Sequence, residues 1–130
     1  MDDSEILNKD ILVIDKSDIT TKLIIDKIEN DLGFGYKYCK NFEETKEYLD
    51  AHPNECFISI FDINIDESND EGFINYIVSK GIPVIATASS HNDNMKEKIL
   101  NKNIVDYYIK KDYRYIDQLI KMIKNLLCFC

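Results

Sequence analysis

Cys56–Asp62 reads CFISIFD and runs directly into the polar stretch INIDESNDEG. Every position before Asp62 is apolar or small. An unbroken apolar run of this length marks a strand buried on both faces, as in a parallel sheet covered by helices. In open parallel sheets, chemistry gathers in the crevice beyond the carboxyl ends of the strands, and Asp62 stands at that end. Taken alone, an aspartate here is more simply a strand-ending residue that caps or solvates a loop.

Working outward, the same alternation of strand and helix recurs on both sides. Upstream, ILVI at 11–14 is a short apolar strand ending in Asp15-Lys16-Ser17-Asp18. Ser17 or Asp18 can cap a helix whose apolar residues Ile19, Leu23, Ile24 and Ile28 recur at three- to five-residue spacing. Gly33 and Gly35 stop that helix, and Tyr36 to Lys40 is a second, less buried strand. Asn41 followed by Glu44 forms a capping box for a helix carrying Phe42, Thr45, Tyr48 and Leu49, with Pro53 just past its end.

Downstream, Gly72 to Ser79 is a short helix with Phe73, Ile74, Ile77 and Val78 inward, stopped by Gly81. Ile82 to Ala88 (IPVIATA) is a fourth buried strand, in which Pro83 is tolerable only near the start. Met95, Ile99 and Leu100 mark a fourth helix, and Ile104 to Ile109 (IVDYYI) a fifth strand. Ile116, Leu119, Ile120, Ile123, Leu126 and Leu127 give the last helix the cleanest period in the chain. Strand-helix five times with short, right-handed connections predicts an α/β, three-layer, doubly wound (βα)5 domain.

The chain of 130 residues is read as one domain over 1–130, with its core at about 10–127. A hydrophobic fraction of 45% beside 31% charged residues is that of a soluble globular protein. A formal charge of -8 argues against a broad nucleic-acid surface, which needs clustered Lys and Arg. The basic residues from Lys110 to Lys124 are interleaved with Asp112 and Asp117 and read as a solvated helix face. No apolar run is long enough to span a bilayer, and the acidic start MDDSE is not a secretory signal. Cys39, Cys56, Cys128 and Cys130 show no zinc spacing, Cys56 reads as a small buried hydrophobe, and a reducing cytoplasm fits best.

Under this topology Asp15, Asp62, Thr87 and Lys110 each end a different strand at one edge of the sheet. Two carboxylates, a hydroxyl and an ammonium group make a kit for phosphoryl transfer, where catalysis is mostly positioning and charge neutralisation. His52 and His91 have no partner pattern and read as surface residues. Gly33-Phe-Gly35 follows a helix and so is no phosphate loop. Asp62-x-Asn64-x-Asp66 opens like a calcium loop, but Glu67 and Phe73 occupy positions that need Gly and a bidentate Glu.

ILVIDKS at 11–17, FISIFDIN at 57–64, PVIATAS at 83–89 and VDYYIK at 105–110 together resemble the response-regulator receiver (CheY-like) domains of two-component signalling. The resemblance implies a flavodoxin-like sheet of five parallel strands in order 2-1-3-4-5. It implies that Asp62 is the phospho-acceptor, with a sensor histidine kinase as donor. Asp15 and Asp62, with the backbone carbonyl of Asn64, match the family's Mg²⁺ ligands. Thr87 matches the switch hydroxyl, Tyr107 the aromatic that rotates inward, Lys110 the phosphate-pairing lysine and Ala88 the small residue beside the phosphate. The stretch from Asp62 to Lys110 looks more particularly like receivers that precede diguanylate cyclase (GGDEF) output domains. The implied partner surface is that of the fourth helix, fifth strand and last helix, which also serves for homodimers.

Three departures bear on that function. Lys16 stands where the family has a second acid, changing the local formal charge by two units relative to Asp. Lys111 replaces the usual proline after Lys110. The acidic loop with Asp66, Glu67, Asp70 and Glu71 lacks the usual proline and reaches its glycine late, at Gly72. Lys16 motivates an alternative, a phosphorylation-independent pseudo-receiver in which its ammonium replaces the metal. A unit charge 4 Å away contributes roughly 4 kcal/mol at an effective dielectric near 20, enough to compete with Mg²⁺; the opposing reading has the flexible Lys16 stem swing its ammonium into water. A small phosphatase is a third reading, for which no dedicated general base is found.

Overall fold

In the computed structural model, the described residues are 9–16, 19–65, 71–89, 97, 104–110 and 112–127. Five strands, β1 (Asp10–Ile14), β2 (Tyr36–Cys39), β3 (Cys56–Asp62), β4 (Val84–Ala88) and β5 (Ile104–Ile109), form one parallel sheet in the order β2-β1-β3-β4-β5. The described helices are α1 (Ile19–Lys27), α2 (Phe42–Ala51), α3 (Gly72–Ser79) and α4 (Arg114–Leu127). The helix expected around Met95, Ile99 and Leu100 lies outside the described residues, as do Ser17, Asp18, His91, Lys111, Cys128 and Cys130.

Strand alternation divides the buried side chains between two cores. Leu12, Ile14, Phe61, Val84 and Ala86 face α2 and α3, joining Leu49, Phe73, Ile74 and Ile77. Ile11, Val13, Ile58, Ile60 and Ile85 face α1 and α4, joining Ile24, Ile28, Ile116, Leu119, Ile120 and Ile123. The central strands are covered on both sides, which is why CFISIFD has no polar alternation. Asp62 is the last residue of β3.

Local chemistry sets the element ends. Asn41 Oδ1 accepts the Glu44 backbone N–H at 2.8 Å, capping α2 as the spacing predicts. Gly33 ends the first helical segment at φ 71°, a left-handed conformation that favours glycine. Before it, α1 continues into a wider π-type turn at Ile28–Leu32. There the Asn30 side-chain amide donates to the Asp26 carbonyl at 3.1 Å, the acceptor its own backbone N–H would use in an α-helix.

Of the apolar residues of α1, Ile19 is 63% exposed, because the helix turns Thr21 and Ile24 to the core. One expectation is corrected. The fourth strand begins at Val84 and not at Ile82, since Pro83 has no N–H to give a ladder. Its carbonyl still accepts from Ser59 N–H at 2.9 Å.

Leu119 is fully buried, whereas Leu126 on the same helix is only half-buried. Urea unfolding of Leu119→Ala should therefore show a loss of about 2–5 kcal/mol, and Leu126→Ala clearly less. Equal losses would contradict this placement of α4.

Candidate functional site

The carboxyl ends of β1, β3 and β4 and the residue after β5 bring Asp15, Asp62, Thr87 and Lys110 to one sheet edge. Asp15 follows β1, Asp62 pairs in register with Thr87, and Lys110 donates its backbone N–H to the Ala88 carbonyl at 2.7 Å. That backbone bond fixes where the lysine stem leaves β5. Asp15, Asp62 and Thr87 are 2%, 8% and 1% exposed.

Lys110 Nζ donates to Asp15 Oδ2 at 2.7 Å and to Asp62 Oδ2 at 3.2 Å. One ammonium thus serves two carboxylates, leaving the trio formally one negative charge in excess. Burial, the largest influence on Asp15, and the neighbouring Asp62 push its carboxyl up to about 7 against the opposing pull of Lys110. Burial acts to lower the Lys110 ammonium, but bonds and charges from Asp15 and Asp62 outweigh it and hold its pKa above the ordinary lysine value.

The remaining oxygens are unevenly used. Asp62 Oδ1 accepts the Asn64 backbone N–H at 2.9 Å, a local turn that orients the carboxylate. Asp15 Oδ1 and Thr87 Oγ1 are buried with no hydrogen-bond partner among the described residues. Buried polar atoms in that condition are costly, and a cation beside Asp15 or an anion beside Thr87 would satisfy them. Two carboxylates are also enough protein charge for Mg²⁺, which keeps several waters of its own. Among the described residues, no cluster of three His, Cys, Asp or Glu side chains is placed to hold a metal.

Lys16 is exposed, and the ammonium held between the two carboxylates is that of Lys110. Tyr107 is half-buried against the core that holds Ala86 and Ala88, with its hydroxyl oxygen buried. Ala88 is fully buried. Asp66, Glu67 and Asp70 lie outside the described residues, and Gly72 is the first residue of α3.

Two contributors escaped the sequence reading. Ser89 donates its backbone N–H and its hydroxyl to Asn64 Oδ1 at 2.8 and 3.0 Å, tying the ends of β3 and β4 together. Tyr38 donates its hydroxyl to the Asp15 carbonyl at 2.8 Å. Ser89 follows Thr87 by two residues, a signal of proximity that spacing alone did not decide. Tyr38 depends on the β1–β2 register, which sets it beside Val13. A cavity of about 360 Å³ lined in part by Lys9, Cys56, Phe57 and Pro83 opens at the opposite, amino-terminal edge.

No protein-family model and no curated protein matches the sequence. Solved structures do match. The phosphorylated cyanobacterial phytochrome response regulator RcpA superposes with TM-score 0.77 at 18% identity, over 94% of this chain and 95% of that one. A response regulator receiver protein from Pseudomonas putida gives 0.76 at 16% identity, over 91% of this chain and 97% of that one. A "probable two-component system response regulator/GGDEF domain protein" gives 0.75 at 15% identity, over 91% of this chain but 47% of that one. At these identities the likeness establishes a shared fold, the doubly wound fold of response-regulator receiver domains.

The Asp15 shift has a definite sign. A folded-state carboxyl near 7 binds more protons than the unfolded carboxyl at 3.8. Its contribution to stability is therefore greatest at low pH and declines as pH rises towards 7. In metal-free buffer, Asp15→Asn should gain on wild type by roughly 1 kcal/mol between about pH 6 and pH 8. Thermal melts in EDTA across that range read the difference. A pH-independent offset would contradict it.

Proposed function

We propose that this chain is a receiver module that accepts a phosphoryl group on Asp62 from a sensor histidine kinase and signals through a changed surface. The observation that carries this reading is the convergence of Asp15, Asp62, Thr87 and Lys110 on one edge, with Thr87 Oγ1 buried beside Asp62 and unsatisfied among the described residues. The four residues end strands that share no local sequence, so the parallel topology assembles them.

In the proposed reaction, an Asp62 carboxylate oxygen attacks the phosphorus of a phosphohistidine, and the imidazole nitrogen leaves. Asn64 N–H holds the other oxygen and keeps the carboxylate plane fixed. Thr87 Oγ1 and the Lys110 ammonium then bond the new phosphoryl oxygens. Asp15, Asp62 and the backbone carbonyl of Asn64 would hold Mg²⁺, which supplies charge neutralisation at the phosphoryl oxygens. Drawing Thr87 towards the anion would move β4 against the Tyr107 ring, coupling the site to the surface around β5 and α4. The module regulates rather than turns over substrate.

That surface is proposed to meet an output domain, a partner protein or a second copy. The GGDEF-containing neighbour supports a diguanylate-cyclase output as the finer assignment. Among the described residues no helix is long and apolar enough to cross a membrane, in keeping with a proposed cytoplasmic setting.

The alternative pseudo-receiver rests on a built-in cation replacing the metal. The geometry offers Lys110 for that role, with Lys16 exposed. The two readings part under acetyl phosphate and Mg²⁺. Phosphotransfer predicts one phosphoryl group added to the intact mass of wild type, none on Asp62→Asn, and loss of the adduct in EDTA. An unmodified wild-type chain at saturating phosphodonor would contradict it. Lys16→Asp replaces an exposed like charge near the site and should tighten Mg²⁺ binding by about tenfold, read by calorimetry. Unchanged affinity would show that Lys16 does not act on the metal.

A further inference from the structure

Strand β5 is the last in the sheet order and reads IVDYYI. Five of its six residues are β-branched or aromatic, with no proline and a single charge, Asp106. Such hexamers pair readily with another strand wherever their backbone edge is open. The opposite edge strand, β2, is only four residues long and carries Lys37 exposed within it, two ordinary ways of blunting an edge.

The backbone parity of β5 identifies what Asp106 does. Lys110 N–H donates to Ala88 in β4, so the amides pointing towards β4 alternate back through 108 and 106. The Tyr107 N–H therefore points away from β4, along the outer edge. Asp106 Oδ1 accepts that N–H at 2.8 Å. Asp106 Oδ2 accepts the Tyr108 hydroxyl at 2.7 Å, and the same hydroxyl lies 3.5 Å from the Gln118 carbonyl on α4. The carboxylate is thus anchored over the edge from both of its oxygens.

We propose that Asp106 keeps the outer edge of β5 closed to strand addition, the competing partner being β5 of a second copy. An added strand would have to take the Tyr107 N–H from the carboxylate and bury the charge it leaves behind. Antiparallel pairing of two copies about the middle of β5 would also bring both Asp106 carboxylates into one seam, where like charges oppose. The inference is independent of phosphorylation at Asp62.

Sedimentation across a concentration series tests it with three variants of the 130-residue chain. Asp106→Val and Asp106→Thr keep strand propensity and remove the guard, whereas Tyr108→Phe leaves the carboxylate on the Tyr107 N–H. Relative to wild type, the Asp106 variants should show added concentration-dependent species, with apparent mass approaching twice that of wild type or beyond. Tyr108→Phe should sediment as wild type. Asp106 variants indistinguishable from wild type would overturn the proposal. So would equal association of Tyr108→Phe, which would point to general loosening of β5. A Tyr107 amide in wild type that exchanges its proton at the unprotected rate would overturn it as well.

Discussion

The Lys110 ammonium held between Asp15 and Asp62 is the interaction on which the site depends. Its partners lie 95 and 48 positions away in sequence, so only the finished sheet brings them together. Two nearby carboxylates at a buried edge repel, and one ammonium relieves the repulsion without cancelling it. Burial above all, and then the neighbouring Asp62, raises the Asp15 carboxyl against the pull of Lys110. The trio keeps one formal negative charge that Lys110 does not balance.

The sheet makes this balance possible by separating support from chemistry. Ile, Leu and Val side chains on alternating faces build two cores, one under α2 and α3 and one under α1 and α4. Neither core requires a polar group at the strand ends, so the ends are available for charged residues. The Asn64–Ser89 tie and the Tyr38 bond to the Asp15 carbonyl then hold neighbouring strand ends in place. At 15% to 18% identity to the superposed solved structures, the architecture persists with most side chains changed.

Much of this was legible from residue pattern. Double-sided burial made CFISIFD a central strand, and Gly72–Ser79 appears with the bounds that its apolar spacing and Gly81 suggest. The strand-ending positions of Asp15, Asp62, Thr87 and Lys110 followed from the strand assignments. What was not legible depended on direction and register. Lys16 and Lys110 are equal as residue types, and only the path of the chain after β5 puts the second one between the acids. Ile19 fitted a helical period, yet the rotation of α1 exposes it. Asp106 is one polar residue in the strand IVDYYI, and only the backbone parity shows which amide it covers.

Under the proposed receiver function, the Lys110 contact with Asp15 and Asp62 belongs to the resting site and is exchanged when a phosphoryl group arrives. A crystal structure of the chain with Mg²⁺ and beryllofluoride, a phosphoryl mimic that bonds carboxylates, tests it most directly. The expected result is beryllofluoride on Asp62, Mg²⁺ against Asp15, and Lys110 Nζ moved from Asp15 to a fluorine, with Thr87 Oγ1 on another. Lys110 still bridging Asp15 and Asp62, with neither metal nor beryllofluoride bound under saturating conditions, would contradict it.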